Sequence, residues 1–364
     1  MPQAQNKKKD ANPAKTVLMA RFSALGDVAM TIPAIYSACR TNPSVRFVMV
    51  TRPAMTSIFI DAPDNLIVIG ADVKEKYAGI RGIATLCREL MADYAPDVFI
   101  DLHNVLRTRL MSVFLGMKGI RTSRLVKPRS ARRALTRRHN KVMLPLPSQL
   151  VRYHEAFTGG GINIADKFSG LFGGRAMAPA SLFAAITGPK PTGQRWIGIA
   201  PFAAHQGKIY PPEMMEEVVA LIDAKAKDDD IRVFLFGGGE KECAILDDWA
   251  SKYKSTTTLA GKKYGFPAEL ALINHVDVMV AMDSGNMHLA AITSAPTVSI
   301  WGATHPYCGF TGWHQSEDNT IQLALDCRPC SVFGNKPCHR GDHLCMRAIK
   351  PRLIFEKINQ YLSK

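Results

Sequence analysis

No apolar run in the 364-residue sequence approaches the ~20 residues that a membrane-crossing helix requires. There is also no Gly-x4-Gly-Lys-Ser/Thr loop, which excludes a Walker-type phosphate site. Aromatic residues make up only 8% of the chain, and they are not interleaved with its basic residues. A stacking platform for single-stranded nucleic acid needs that interleaving, so nucleic acid is not an expected partner. Acidic residues are few relative to basic ones, 31 against 46, for a net charge of +15. That imbalance favours polyanionic partners, such as phosphorylated substrates or an anionic lipid surface. No secretory apolar core follows the polar residues 1–15, which read as a disordered tail on a cytoplasmic protein.

What is present is unevenly distributed. Nine basic residues and no acidic one fall between Arg121 and Lys141, including Arg132 and Arg133. Like charges this close repel unless something neutralises them, so the segment is either a solvated face or the binding site of an anion. Four of the eight cysteines, Cys39, Cys87, Cys243 and Cys308, are scattered and read as small buried residues. The other four, Cys327, Cys330, Cys338 and Cys345, stand close together with His339 and His343. The Cys-x2-Cys pair suits structural zinc, although the later spacings match no standard finger. Reduced thiols packed in a loop are the alternative, and a disulfide suits a cytoplasmic chain least.

Apolar strands and amphipathic helices alternate twice along the chain. The first series runs from "TVLMARF" to "PDVFIDLH", and the second from "WIGIAPF" to "VDVMVAM" and the helix after it. Such alternation predicts an α/β fold with two doubly wound parallel sheets, each covered by helices. The expected division is an amino-terminal domain over 16–187, a Pro/Gly-rich linker over 188–195, a second domain over 196–349 and a terminal helix over 350–364. In doubly wound sheets, ligands bind beyond the carboxyl ends of the strands.

Three strand-to-helix corners carry chemistry. In "RFSALGDVAMTIPA", Gly26 permits a tight turn, and Asp27 is either a helix N-cap or a general base. In "APFAAHQGKIYPP", Lys208 is either a solvated surface charge or a cation for a departing diphosphate, and in the nearby "FGGGEKE" Gly237 and Gly238 allow close backbone approach before Glu240. In "MDSGNMHLAA", Ser284 and Gly285 open a helix whose unpaired N–H groups suit an anion, with Asp283, Met287 and His288 around them.

Taken in order, "RFSALGDVAMTIPAI", "FAAHQGKIYP", "FGGGEKE" and "MDSGNMHLAAITSAPTVSIWGATHP" resemble glycosyltransferase family 9, the ADP-heptose:lipopolysaccharide heptosyltransferases, from about residue 15 to the end. The resemblance implies a GT-B fold, two Rossmann-like domains facing a central cleft, and an inverting transfer that needs no catalytic metal. The absence of an Asp-x-Asp pair at a strand end is consistent with this. It implies Asp27 as base, Lys208 as stabiliser of the leaving ADP, Glu240 on the ribose, and Asp283, Ser284, Gly285, Met287 and His288 around the diphosphate. The implied donor is ADP-heptose. The implied acceptor is an anionic lipopolysaccharide precursor of the Kdo-lipid A type at the inner membrane, held by His103, Asn104, Arg107, Arg109, Arg132 and Arg133. The chain departs from the family's Lys-x-Trp-Pro with Lys208-Ile209-Tyr210-Pro211. The alternatives are a GT-B enzyme using another nucleotide sugar for a surface glycan, and a nucleotide-sugar binder without turnover.

Overall fold

A computed structural model of the chain describes residues 15–363. The expected tail lies outside the described residues apart from Lys15, which opens the first strand. The chain forms two compact units.

Unit 1 comprises the described residues up to Lys127 together with Pro147–Ser169. Its elements are β1 (Lys15–Ala20), α1 (Leu25–Ala29), α2 (Thr31–Thr41), β2 (Val45–Thr51), β3 (Leu66–Gly70), α3 (Gly79–Tyr94), β4 (Val98–Asp101), α4 (Leu106–Gly116) and β5 (Arg121–Arg124). Helix α5 (Arg129–Thr136) belongs to the other unit, and α6 (Gln149–Gly159) returns to this one. The sheet is wholly parallel in the order β3-β2-β1-β4-β5. Val17, Leu18, Met19 and Ala20 of β1 are all fully buried. Burial on both faces is the reason the central strand is apolar at successive positions rather than alternating. Helices α1 and α2 are divided at Met30, beside which the Thr31 hydroxyl donates to the Val28 carbonyl at 2.7 Å.

Unit 2 comprises Pro128–Leu146 and the chain from Gly170 onward. After α5 come β6 (Arg195–Ala200), α7 (Pro212–Lys225), β7 (Ile231–Leu235), α8 (Glu240–Lys252), β8 (Thr256–Thr258), α9 (Phe266–His275), β9 (Val278–Met282), α10 (Gly285–Ile292), β10 (Thr297–Ile300), β11 (Thr320–Ile321), α11 (Leu344–Arg347) and α12 (Pro351–Leu362). The order is β11-β10-β9-β6-β7-β8, again all parallel. The two units share a device at the foot of the sheet. Asp97 accepts from the Thr16 amide and Asp277 from the Trp196 amide, each at 2.7 Å and each across 81 residues.

These units revise the expected boundaries. Residues 170–187 pack on unit 2, where Asn274 donates to the Gly174 carbonyl at 2.7 Å and Phe183 meets Trp196 edge-on. The expected linker is tethered as well, since Lys190 lies 2.5 Å from the buried Asp277 carboxylate. Helix α12 is part of the unit 2 core through Ile354, Ile358 and Leu362. Tyr210, the departure from the family pattern, is buried, and its hydroxyl donates to the Ile349 carbonyl at 2.7 Å just before that helix.

Candidate active site

In unit 1 the strand order reverses between β1 and β4, where Ala20 pairs with Asp101. The loops leaving these two strands therefore emerge side by side, where doubly wound sheets bind ligands. Asp27 is not the N-cap of α1. That position is Ala24, and Asp27 falls in the first turn, its side chain a quarter exposed. Its Oδ2 lies 2.8 Å from Nη2 of the buried Arg21. The same guanidinium donates through Nη1 to the Leu102 carbonyl at 2.6 Å, and the Tyr153 hydroxyl donates to the Asp27 carbonyl at 3.0 Å. Burial works against the charge on Arg21, but Asp27, Tyr153 and Asp101 outweigh it and raise the guanidinium above its ordinary pKa. Arg21, Asp101 and Tyr153 were not singled out by the sequence reading. A basic residue closing a strand six positions before Asp27 was the available signal.

The β4 loop is organised by Asp101, whose Oδ1 accepts from the amides of His103 at 2.9 Å and Asn104 at 2.6 Å. Asn104 has a positive φ of 50° and is committed on all sides. Its amide group donates to Leu125, its Oδ1 accepts from Arg109 Nε at 2.8 Å, and its carbonyl accepts from Lys127. Asn104 and Arg109 thus build the loop. His103 is buried, its Nδ1 accepting from the Phe22 amide at 3.4 Å. Burial, then Arg21 and Lys127, lower its pKa to about 3. Arg107 is half-buried on α4.

In unit 2 the reversal falls between β6 and β9, where Ala200 pairs with Ala281. Lys208 closes a short turn after β6, and its Nζ lies 2.8 Å from Oδ2 of Asp283, which follows β9 directly. Three glycines make room for this pair. A Cβ on Gly207 would stand 2.9 Å from the Gly334 carbonyl, one on Gly302 would stand 2.7 Å from the Gly207 carbonyl, and one on Gly334 would stand 2.5 Å from Lys208 Cγ. Ser284 is the N-cap of α10, yet its side chain makes no capping bond, and its buried Oγ has no partner among the described residues. Gly285 begins the helix and His288 is buried one turn on. Lys208, Asp283, Ser284 and Gly285 are therefore brought together as expected. Met287 is directed elsewhere, lining a cavity of about 80 Å³ with Thr297, Ser299 and Trp301.

The glycine turn after β7 is closed by Glu242. The Glu242 carboxylate accepts from the Gly238 amide at 2.8 Å, and Gly237 packs against Leu246. Glu240 stands exposed as the first residue of α8.

From Pro128 onward the basic segment belongs to unit 2, while Arg121, Arg124 and Lys127 stay in unit 1. Lys141 donates to the Pro329 carbonyl at 2.7 Å, and the Leu146 amide donates to the Tyr307 carbonyl at 2.9 Å. The buried Arg132 places its guanidinium 5.2 Å from the Phe310 ring and 5.6 Å from the Phe333 ring, while Arg133 is exposed. These contacts correct the assignment of Arg132 and Arg133 to the amino-terminal domain.

The four clustered cysteines are free, and among the described residues no three His, Cys, Asp or Glu side chains are placed to hold a metal. Arg328 organises this loop instead. It is buried and donates to the carbonyls of Gly302, Leu323 and Thr304. Burial pushes the Cys345 thiol up to about 11 and raises Cys330. Among the described residues, the clustered cysteines are not arranged as the structural zinc site that the Cys-x2-Cys pair left possible.

Two parallel α/β units, one bearing a lysine and a helix start where its strand order reverses, define a doubly wound class of protein whose ligands bind at such reversals. Residues 83–338 match glycosyltransferase family 9 (heptosyltransferase), and the chain belongs to that family. It is 32% identical over 87 residues to lipooligosaccharide heptosyltransferase 2 of Campylobacter jejuni, a match spanning 24% of this chain and only 26% of that relative. The family 9 glycosyl transferase structure from Veillonella parvula aligns with a TM-score of 0.72 at 15% identity, covering 98% of this chain and 99% of that one. The Escherichia coli ADP-heptose lipopolysaccharide heptosyltransferase II structure aligns at 0.66 and 17% identity, covering 96% and 98%. At such identities the structural likeness establishes the fold, two Rossmann-like units of GT-B type.

Proposed function

We propose that the protein is an inverting glycosyltransferase that moves heptose from ADP-heptose to an anionic lipopolysaccharide inner-core acceptor. The observation that carries this reading is the Lys208–Asp283 pair beside the start of α10, where a buried Ser284 hydroxyl is left over. Asp283 holds the lysine in place, and the amides of the helix start add partial positive charge. In the reaction Asp27 takes the proton of an acceptor hydroxyl as that oxygen bonds to the anomeric carbon. The bond from the anomeric carbon to the diphosphate breaks, and its electron pair leaves with ADP. Lys208 and the α10 amides stabilise the charge that develops on the departing oxygens, so no step is assigned to a divalent ion.

The acceptor reading draws on the exposed arginines of the basic segment, Arg129, Arg133, Arg137 and Arg138, and on exposed Val142, Met143 and Leu144 beside them. Cations next to apolar side chains suit an anionic lipid surface, which gives a cytoplasmic protein in peripheral contact with the inner membrane. Among the described residues no helix is long and apolar enough to cross a membrane.

The test is a thermal-shift series with ADP, UDP, GDP and ADP-heptose, because a ligand of the native state raises apparent stability by mass action. Stabilisation by ADP and ADP-heptose above the other two is expected. Equal or greater stabilisation by UDP would move the donor to another nucleotide sugar.

A further inference from the structure

We propose that helix α4 of unit 1 is a membrane-docking helix, lying in the plane of an anionic lipid surface with Leu106, Val113 and Met117 inserted toward the acyl chains; the proposal rests on the peripheral-membrane reading given above and carries it to an element outside segment 128–146. Leu106, Val113 and Met117 are 77%, 57% and 67% exposed, although all three are large and apolar. With the half-buried Leu110 they stand four, three and four residues apart, and Met117, the C-cap, keeps a right-handed helical conformation. That spacing lays the four side chains in one line down the helix. The opposite face, formed by Thr108, Met111, Ser112 and Leu115, is buried in unit 1.

Helix α4 is therefore apolar on two faces, of which the unit covers one. A helix that is apolar all round is ordinarily enclosed; scattered apolar side chains at a surface need no explanation, but a continuous stripe does. The charge around the stripe indicates what covers it. Six basic residues and no acidic one lie between Leu102 and Lys127. At the helical turn per residue, Arg107 and Arg109 fall on opposite flanks of the stripe, and Lys118 follows Met117 at its end. Arg109 is steadied through Nε by the Asn104 side chain at 2.8 Å, yet it stays exposed, so its charge remains at the surface.

Apolar side chains between flanking cations form the pattern of an interfacial helix. The stripe enters the boundary between headgroups and acyl chains, and the long basic side chains reach back to the lipid phosphates. The 11 residues of α4 are too few to cross a bilayer and suit a helix that lies on one. A second copy of the chain is a poor occupant, because it would bring the same six cations against themselves on two molecules that each carry a net charge of +15. A neutral lipid surface would bury the stripe but leave those cations without counter-charge, which selects anionic lipid.

Co-sedimentation of the full chain with vesicles of phosphatidylcholine, alone or mixed with phosphatidylglycerol, tests the assignment. The wild type is expected on the mixed vesicles and not on phosphatidylcholine alone. The triple variant Leu106→Gln, Val113→Gln, Met117→Gln keeps every charge and good helix formers, and its partition onto the mixed vesicles is expected to fall about tenfold or more. If the triple variant does not fold, as judged by circular dichroism, Val113→Gln alone is read on the same vesicles, with a fall of at least about threefold expected. Val113→Trp should bind more tightly than the wild type and gain fluorescence that brominated lipid quenches, which mere loss of folding would not produce. A wild type that binds the mixed vesicles as well as the folded triple variant does would remove α4 and leave the contact to segment 128–146. A wild type that binds neither vesicle would overturn the peripheral reading along with it. A wild-type dimer that the triple variant abolishes would give the stripe to a second copy and overturn the proposal as well.

Discussion

Arg21 and Asp27 face each other at 2.8 Å in the first loop of unit 1, the arginine buried and the carboxylate partly open. The pairing orients the carboxylate, and Arg21 is itself anchored on the Leu102 carbonyl.

Asp27→Asn is therefore expected to lower kcat by about two to four orders of magnitude, the range typical of a positioned base, with ADP binding unaltered. Arg21→Met retains the carboxylate but removes the cation beside it. Its kcat should fall toward that of Asp27→Asn, because the carboxylate is then no longer held in place. An unchanged kcat would show Arg21 to be a packing residue only.

How much of this was legible in the sequence depends on the range over which each feature is determined. The buried strands were visible because residues such as Val17 to Ala20 are apolar on both faces, and the corners followed from where those strands end. Strand β5, with the sequence Arg-Thr-Ser-Arg, is largely exposed at a sheet edge and carries no hydrophobic period to read. The docking of α5 was invisible because Phe310 and Phe333, which receive Arg132, lie far away in the chain. That Glu242 turns back to the Gly238 amide was not legible, because only the phase of α8 decides which carboxylate does so. Cysteine spacing suggested zinc because spacing reveals nothing of Arg328, whose donors occupy the carbonyls that shape the loop.

Gly334 offers a test of the proposed leaving-group site that leaves every charged residue intact. Its φ of +75° disfavours any L residue, by about 1–2 kcal/mol, and an added methyl group would press on Lys208 Cγ from 2.5 Å. Gly334→Ala should displace the lysine from Asp283 and reduce kcat in the same direction as Lys208→Ala, for which a loss of about 10²–10³ is expected. In the double variant the two losses should not add, since both act through one ammonium. Fully additive losses in that cycle would dissociate Gly334 from the lysine.

His103 makes the stability of unit 1 depend on pH. The imidazole is buried, accepts a hydrogen bond from the Phe22 amide through Nδ1, and has its pKa lowered from 6.5 to about 3 by burial and by nearby Arg21 and Lys127. In the unfolded chain the same ring takes up a proton near the ordinary value of about 6.5. The stability associated with a neutral His103 is thus fully present above about pH 6.5 and is lost as pH falls from there toward 3. The slope is about 1.4 kcal/mol per pH unit while the unfolded state alone carries the proton. Tryptophan fluorescence would miss this, since Trp196, Trp249, Trp301 and Trp313 all belong to unit 2. The measurement is amide hydrogen exchange across β1 and β4 between pH 7 and pH 4, corrected for intrinsic rates. Protection should fall with acidification in the wild type and fall less steeply in His103→Gln, whose side-chain oxygen can still accept from Phe22. Equal slopes in the two proteins, or a His103 ring resonance that titrates above pH 6, would show that the imidazole carries its proton in the folded state.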